Sequence, residues 1–132
     1  MTEVSEPDRQ LDLTRSELSP SFDPQPESRE ILGVRFHASE YEQATKLILR
    51  WALRGESRTV YCSNTHSVIE AQDDSAFMDI LNVADLNTSD GVPIVWALRR
   101  EGAGAQRVYG PDLTLHVLRA AADHGLPVAF YG

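Results

Sequence analysis

The sequence contains one cysteine, few basic residues and no long apolar run. A single cysteine cannot form an internal disulfide, which excludes disulfide-stapled secreted scaffolds and thiolate-rich zinc or iron–sulfur sites. Twelve Lys and Arg against 20 Asp and Glu give a formal net charge of −8, which argues against general binding to nucleic-acid phosphates. No stretch approaches the roughly 20 apolar residues of a spanning helix, and the acidic N-terminus is unlike a signal peptide. We therefore expect a cytoplasmic protein that binds no nucleic acid.

The composition changes near residue 30. Residues 1–30 contain eight acidic side chains, three arginines and four of the seven prolines. Such a segment buries too little apolar surface to offset its chain entropy. The sequence therefore predicts a disordered acidic tail at 1–30 and a folded domain at 31–132. Leu11, Leu13 and Leu18 leave a docking role for the tail open.

From residue 31 the chain alternates between strand and helix patterns, which is typical of an α/β protein. We expect a Rossmann-like, mainly parallel sheet with flanking helices. The last strand would be buried on both faces, yet the sequence ends at Gly132, so the predicted sheet is incomplete at its C-terminus. The predicted strands are 31–36, 59–63, 86–88 and 126–131, and the predicted helices are 41–53, 67–72, 75–84, 91–100 and 111–124.

Polar residues follow the second and third predicted strands. Asp90 and Gly91 stand between a short strand and a helix, at the edge of the sheet where α/β proteins bind ligands. Spacing alone favours a structural role in which Asp90 only caps that helix. Ser63 and Asn64 follow the preceding strand and face the same edge, although turn and cap chemistry would explain them equally simply.

A third polar cluster lies at 107–113. Arg107 precedes a turn at Gly110 and a helix N-terminus, which is the arrangement expected for binding phosphate. A surface ion pair is the alternative for Arg107. We find no Asp-x-Asp pair for a metal, and the adjacent Asp73 and Asp74 are interpreted as a solvated helix cap.

Two other residue types are interpreted as structural. Cys62 is expected to be a small buried apolar group rather than a nucleophile. Trp51 and Trp96 occupy apolar positions of predicted helices and are expected to be core aromatics.

Several blocks in the same order resemble the WecG/TagA/CpsF family of bacterial glycosyltransferases. The most specific is 84–97, in which an Asp-Gly pair opens an apolar helix containing Val-Trp. Cys62 stands where the family has the threonine of its Thr-x-Asn element, so a hydroxyl contact is lost unless Ser63 supplies it. The other matching blocks are 31–34, 60–64, 107–113 and 128–132.

The resemblance implies that 31–132 is the N-terminal part of an inverting glycosyltransferase domain that acts in cell-surface polysaccharide synthesis. Such enzymes transfer a sugar, typically of the N-acetylmannosamine type, from a UDP-sugar to a polyprenyl-diphosphate-linked acceptor. By motif position Asp90 would be the general base, and Asn64, Ser63, Arg107, Gly91 and Gly110 would bind substrate. No metal or other cofactor is implied.

The resemblance also implies a location and partners. Relatives act at the cytoplasmic face of the bacterial inner membrane, contact it peripherally through a basic C-terminal extension, and associate into homo-oligomers. Two alternatives stay open: a non-catalytic nucleotide- or phosphate-binding module, and an inactive truncated relic.

Overall fold

The computed structural model describes residues 11–19 and 24–132. This part of the chain forms a mixed α/β structure, and a helix is found at each of the five predicted places. No helix within it is both long and apolar enough to cross a membrane. The strands are β1 (Ser28–Ile31), β2 (Val34–His37), β3 (Val60–Ser63) and β4 (Leu86–Ser89), and the helices are α1 (Tyr41–Leu53), α2 (Thr65–Asp73), α3 (Ser75–Asn82), α4 (Val92–Arg100) and α5 (Gly110–Asp123).

The first predicted strand is in fact a hairpin. β1 and β2 pair antiparallel, with Ile31 opposite Val34. The two residues between them have positive φ, 49° at Leu32 and 84° at Gly33, as a tight hairpin turn of the primed type requires. The prediction of one strand over 31–36 is wrong because the period-2 pattern of side chains runs across both the turn and the strand ends.

The predicted strand at 126–131 is absent, because this segment has no strand assignment and pairs with no neighbour in the described residues. The backbone N–H of Leu126 donates instead to the carbonyl of Ala121 at 2.8 Å, which closes the end of α5. An apolar run fits a strand only where a partner supplies hydrogen bonds. The observed sheets are therefore one parallel pair, β3 with β4, and one antiparallel pair.

The chain divides into two compact units. The β4 unit comprises 25–40 and 58–110, and its core includes Phe36, Leu81 and Leu98. The α1–α5 unit, named for the two helices α1 and α5, comprises 41–57, 111–132 and, among the described N-terminal residues, 11–19 and Pro24. One cluster of buried residues in this unit consists of Leu11, Leu49 and Ala120.

The predicted tail at 1–30 is described only in part, since 1–10 and 20–23 lie outside the described residues. Leu11 is buried in the cluster of the α1–α5 unit. Arg54 donates a hydrogen bond to the carbonyl of Ser19 at 2.8 Å, and β1 begins at Ser28. The division into tail and domain stays a prediction.

The two tryptophans have different environments. Trp51 on α1 is 3% exposed, so its prediction as a core aromatic is confirmed. Trp96 on α4 is 66% exposed, so the same prediction for Trp96 is wrong. The helical spacing of apolar residues placed Trp96 on the buried stripe, but Ile94, Val95 and Leu98 form that stripe and leave Trp96 outside it.

Candidate active site

The carboxyl ends of β3 and β4 bring the first two polar clusters together. The parallel pair is in register, with Ser63 opposite Ser89, so both strands end at one edge of the sheet. The chain leaves β3 at Asn64 and β4 at Asp90. The backbone N–H of Asp90 donates to the carbonyl of Ser63 at 3.0 Å, which extends the pairing by one residue.

The segment 106–110 brings the third cluster to the same edge. The backbone N–H of Val108 donates to the carbonyl of Ser89 at 2.9 Å. The Ser89 hydroxyl donates to the carbonyl of Gln106, also at 2.9 Å. These two bonds hold the segment along β4 and place Arg107 and Gly110 beside Asp90.

Asp90 lies between these two residues. Its carboxylate accepts a hydrogen bond from the backbone N–H of Gly110. Nη2 of Arg107 lies 4.0 Å from Oδ1 of Asp90, and Nε of Arg107 donates to the Asp90 carbonyl at 2.7 Å. The side chain of Asp90 is 18% exposed and that of Arg107 is 45% exposed. The carboxylate is therefore partly covered, while the guanidinium keeps donors available to solvent.

The environment of Asp90 suits a base. Burial raises the pKa of the Asp90 carboxyl above its ordinary value, while the Gly110 N–H and the Arg107 charge oppose that rise. A carboxylate with a raised pKa is a better proton acceptor near neutral pH than an exposed one.

The capping role considered for Asp90 is wrong. The N-cap of α4 is Gly91, and α4 has no side-chain cap hydrogen bond. The Asp90 carboxylate is directed to Gly110 instead, 20 residues further along the chain, and the position of the 106–110 segment makes this contact possible.

Asn64 confirms its structural alternative and still presents a free group. It is the N-cap of α2, and its Oδ1 accepts from the backbone N–H of Ser67 at 3.2 Å. Because the oxygen of the Asn64 amide accepts this bond, its NH₂ group must be the other end of the amide, which is exposed. This NH₂ group donates to no group within the described residues. A Cβ atom at Gly91 would lie 3.5 Å from Cβ of Asn64, so the two predicted residues are neighbours.

Ser63 and Cys62 are covered rather than open. Ser63 is buried, and it contributes its backbone carbonyl to the position of Asp90. The Cys62 thiol is half-buried and hydrogen-bonded to the Thr88 side chain, and burial raises the pKa of the thiol. A thiol with a raised pKa is a weak nucleophile, in line with the structural interpretation of Cys62.

Gly110 keeps the space next to the carboxylate open. A Cβ atom at this position would lie 3.7 Å from Oδ2 of Asp90 and 3.5 Å from Cβ of Cys62. A side chain longer than a methyl group would therefore cover the carboxylate.

Tyr109 is a site residue that the sequence did not single out. Cζ of Arg107 lies 4.7 Å from the centre of the Tyr109 ring, which is cation–π geometry. The ring supports the guanidinium from one side and so restricts where its donors point. The sequence signal for this contact was an aromatic residue two positions after an arginine. The contact between the two side chains forms only because the segment bends.

A buried polar group beneath the site was also missed. Asn87 on β4 is fully buried, and its Nδ2 donates to the carbonyl of Arg35 at 3.0 Å. Its backbone N–H donates to Nδ1 of His37 at 2.9 Å, while its Oδ1 has no hydrogen-bond partner in the described residues. The sequence signal for these buried polar groups was the run of three successive polar residues, 87–89, in a strand that is buried.

Asp74 and His66 interact with residues of their own helices. Asp74 caps α3 by accepting from the backbone N–H of Phe77 at 3.0 Å, which confirms the cap expected for the Asp73–Asp74 pair. His66 is exposed and lies 3.5 Å from a carboxylate oxygen of Glu70. Within 11–19 and 24–132 no three His, Cys, Asp or Glu side chains are placed to share a metal ion.

Most of the chain, including the candidate site, matches one known protein family. The model of the glycosyl transferase WecG/TagA/CpsF family matches residues 29–132, which is most of the chain and includes every residue of the candidate site. The match extends from β1 through β3, β4 and the segment carrying Arg107. The chain therefore belongs to the WecG/TagA/CpsF family of glycosyltransferases.

Proposed function

We propose that this protein is an inverting transferase that moves a sugar, of the N-acetylmannosamine type, from a UDP-sugar to a polyprenyl-diphosphate-linked acceptor. The observation that carries the proposal is the environment of Asp90. A partly buried carboxylate with a raised pKa lies beside an exposed arginine, at the carboxyl end of a parallel strand pair. That edge is where Rossmann-like folds bind nucleotides, and we propose that the parallel pair belongs to such a sheet.

Asp90 acts as the general base in this proposal. It takes the proton of the acceptor hydroxyl while that oxygen forms a bond to the anomeric carbon of the donor. The bond between this carbon and the UDP oxygen breaks on the opposite face, so the configuration inverts and UDP leaves with the electron pair. A positioned base contributes about 10²–10⁴ in rate.

Arg107 and the helix N-termini at this edge bind the diphosphate. The exposed guanidinium donors of Arg107 neutralise the charge that develops on the leaving UDP. The side-chain NH₂ group of Asn64, at the N-terminus of α2, donates hydrogen bonds to oxygens of the UDP-sugar. Gly91 and Gly110 leave room for substrate at the backbone, and Ser63 acts by holding Asp90 in place.

The biological setting follows from the same assignment. We propose that the protein acts at the cytoplasmic face of the bacterial inner membrane, in the synthesis of a cell-surface polysaccharide such as teichoic acid or an exopolysaccharide. Peripheral membrane contact and association into homo-oligomers belong to this proposal.

The test is transfer by the full chain from UDP-N-acetylmannosamine to a polyprenyl-diphosphate-linked acceptor, with UDP release as the measured signal. Asp90→Asn should lower kcat by about 10²–10⁴ and leave the donor Kd almost unchanged, since only the proton acceptor is lost. Asp79→Asn, an exposed carboxylate on α3, is the matched control and should keep wild-type kcat. Near-normal turnover by Asp90→Asn would overturn the base assignment.

A non-catalytic nucleotide-binding module is the second candidate. Cys62 favours it, because the thiol stands where the resemblance places a threonine and is engaged with Thr88. Titration calorimetry with UDP separates the two proposals. Tight UDP binding by a wild-type chain that transfers no sugar would support the module and contradict the transferase.

A further inference from the structure

The exposed side of α4 combines a tryptophan, other apolar side chains and arginine. The buried positions Ile94, Val95 and Leu98 occupy one side of the helix, and at 3.6 residues per turn the remaining long side chains project from the other. We call this side the α4 outer face. Its residues are Val92, Pro93, Trp96, Arg99 and Arg100, all of them exposed.

This face differs in charge from the other helices. α4 contains no Asp or Glu, whereas each of the other four helices in the described residues has at least one. In a chain with a net charge of −8 the face is locally cationic. The outer side of a helix in a globular protein is normally polar, so an exposed tryptophan beside Val92 marks an interaction surface.

Tryptophan and arginine together fit a lipid surface. The indole ring is amphipathic and prefers the boundary between headgroups and acyl chains, and arginine pairs with anionic headgroups. A helix with this face lies in the plane of the interface. We propose that the α4 outer face docks on an anionic phospholipid surface.

Charge favours lipid over a second copy of this chain. A symmetric contact through this face would bring the arginines of one copy against those of the other. An anionic bilayer supplies the opposite charge and an apolar layer at the same place.

The face is directly connected to the candidate base. Gly91 is the only residue between Asp90 and the first residue of α4. At a rise of about 1.5 Å per residue, Trp96 lies about 8 Å along the axis from Gly91. A membrane-docked α4 therefore holds the Asp90 carboxylate near the headgroups, where the diphosphate of a lipid-linked acceptor is found. This last step rests on the proposed function.

The test is binding of the full chain to vesicles, measured by co-sedimentation and by tryptophan emission without substrate. Vesicles contain equal parts phosphatidylglycerol and phosphatidylcholine, or phosphatidylcholine alone. Trp51 is 3% exposed and Trp96 66% exposed, so a blue shift on binding reports Trp96. We expect the shift with the anionic vesicles and its absence in Trp96→Phe. Equal binding to both vesicle types would overturn the proposal, as would a shift that grows with protein concentration in the absence of vesicles.

Two substitutions with matched controls locate the contact. Trp96→Ala should weaken anionic-vesicle binding about tenfold, and Arg100→Gln about fivefold. Arg99 is not substituted, since its Nε also donates to the carbonyl of Ala105 at 2.8 Å. The controls are Ile69→Ala, exposed on α2, and Arg119→Gln, exposed on α5, and both should bind as wild type. Equal binding by Trp96→Ala and wild type would overturn the proposal.

Turnover on a detergent-solubilised acceptor distinguishes this proposal from the proposed function. Trp96→Ala should keep wild-type turnover in detergent and lose it on vesicles. A wild-type chain that binds anionic vesicles but transfers no sugar would contradict the transferase proposal alone.

Discussion

The two compact units of this chain differ in how many polar side chains they bury. The β4 unit buries Asn87, Thr88 and Ser89 on one strand and carries the whole candidate site at the end of that strand. The α1–α5 unit holds a small apolar cleft with Leu49, Val117 and Ala120 among its lining residues. None of the residues lining that cleft is charged. Thr45 and Arg50 are also buried in the α1–α5 unit, but six of the eight buried polar side chains in the described residues lie in the β4 unit. Polar burial lowers stability unless hydrogen bonds compensate it, so this excess in the β4 unit indicates where function resides.

We expect the largest difference between the units when an arginine of each is substituted and kcat/KM is measured. Arg107→Gln in the β4 unit should lower kcat/KM about 10²-fold, because a charged donor to the leaving diphosphate is lost. Arg107→Lys should fall between wild type and Gln, since it keeps the charge without the planar fork. Steady-state kinetics of UDP release measure both, with Arg119→Gln of the α1–α5 unit as the control. Similar losses for Arg107→Gln and Arg119→Gln would remove the functional distinction.

Buried polar groups should also differ between the units. Asn87→Ala leaves the carbonyl of Arg35 without its side-chain partner and opens space in the core, at a cost of about 2 kcal/mol in the free energy of unfolding. Thr45→Ala on α1 removes a hydroxyl that bonds only within its own helix, to Tyr41 at 2.6 Å, at a cost of about 1 kcal/mol. Urea unfolding of both variants measures the difference. A larger loss for Thr45→Ala would contradict this ranking.

Removal of the Tyr109 ring, which lies beneath Arg107, should have a smaller effect on the kinetics. Tyr109→Leu removes the cation–π contact and should raise the donor KM about two- to fivefold with little change in kcat, because the guanidinium becomes less well positioned. Tyr109→Phe keeps the ring and should match wild type. Equal KM values for Leu and Phe would show that the ring does not position Arg107.

Acid should destabilise the β4 unit through His37. Burial and the nearby Arg35 charge lower the pKa of His37, and its Nδ1 accepts from the N–H of Asn87, which requires the neutral ring. The unfolded chain therefore binds this proton at a higher pH than the folded one. Stability falls as the pH drops from the unfolded pKa of about 6.5 towards the lower folded value.

Urea unfolding between about pH 7.5 and about pH 5 measures this slope. His37→Gln cannot take up the proton and should flatten the profile. His116→Gln in the α1–α5 unit should flatten it less, since burial is the main cause of the lowered pKa in both residues and His116 is only half-buried, whereas His37 is buried. A profile unchanged by His37→Gln would contradict the assignment.

The smallest effect is expected for the stability of Asp90→Asn. The folded pKa of Asp90 is raised, so its charged form is disfavoured by folding, and stability is lost as the pH rises from the unfolded value of about 3.8 through the folded one. Asp90→Asn should therefore be slightly more stable than wild type at neutral pH and equal to it in acid. Lower stability at neutral pH would show that the carboxylate serves the fold.

Local sequence patterns predicted the five helices found in the described residues and the strands β3 and β4. Helical spacing of apolar residues and the β-branched run at 59–63 report on the nearest neighbours of each residue, and these are the interactions that form helices and place strands. The same patterns failed at 31–36 and 126–131. A turn with positive φ and the presence of a pairing partner are not encoded in period-2 alternation.

The sequence by itself determined which residue types stand at the carboxyl ends of β3 and β4, since these follow directly from the order of residues along the chain. Tertiary structure decided what those residues do. The Asp90 carboxylate could have capped α4, and only the 106–110 segment, bonded to Ser89, turns it towards Gly110 and Arg107. The exposure of Trp96 was decided in the same way, because burial depends on which side of α4 the rest of the unit covers. Contacts between residues distant in sequence set both outcomes, and no local periodicity contains them.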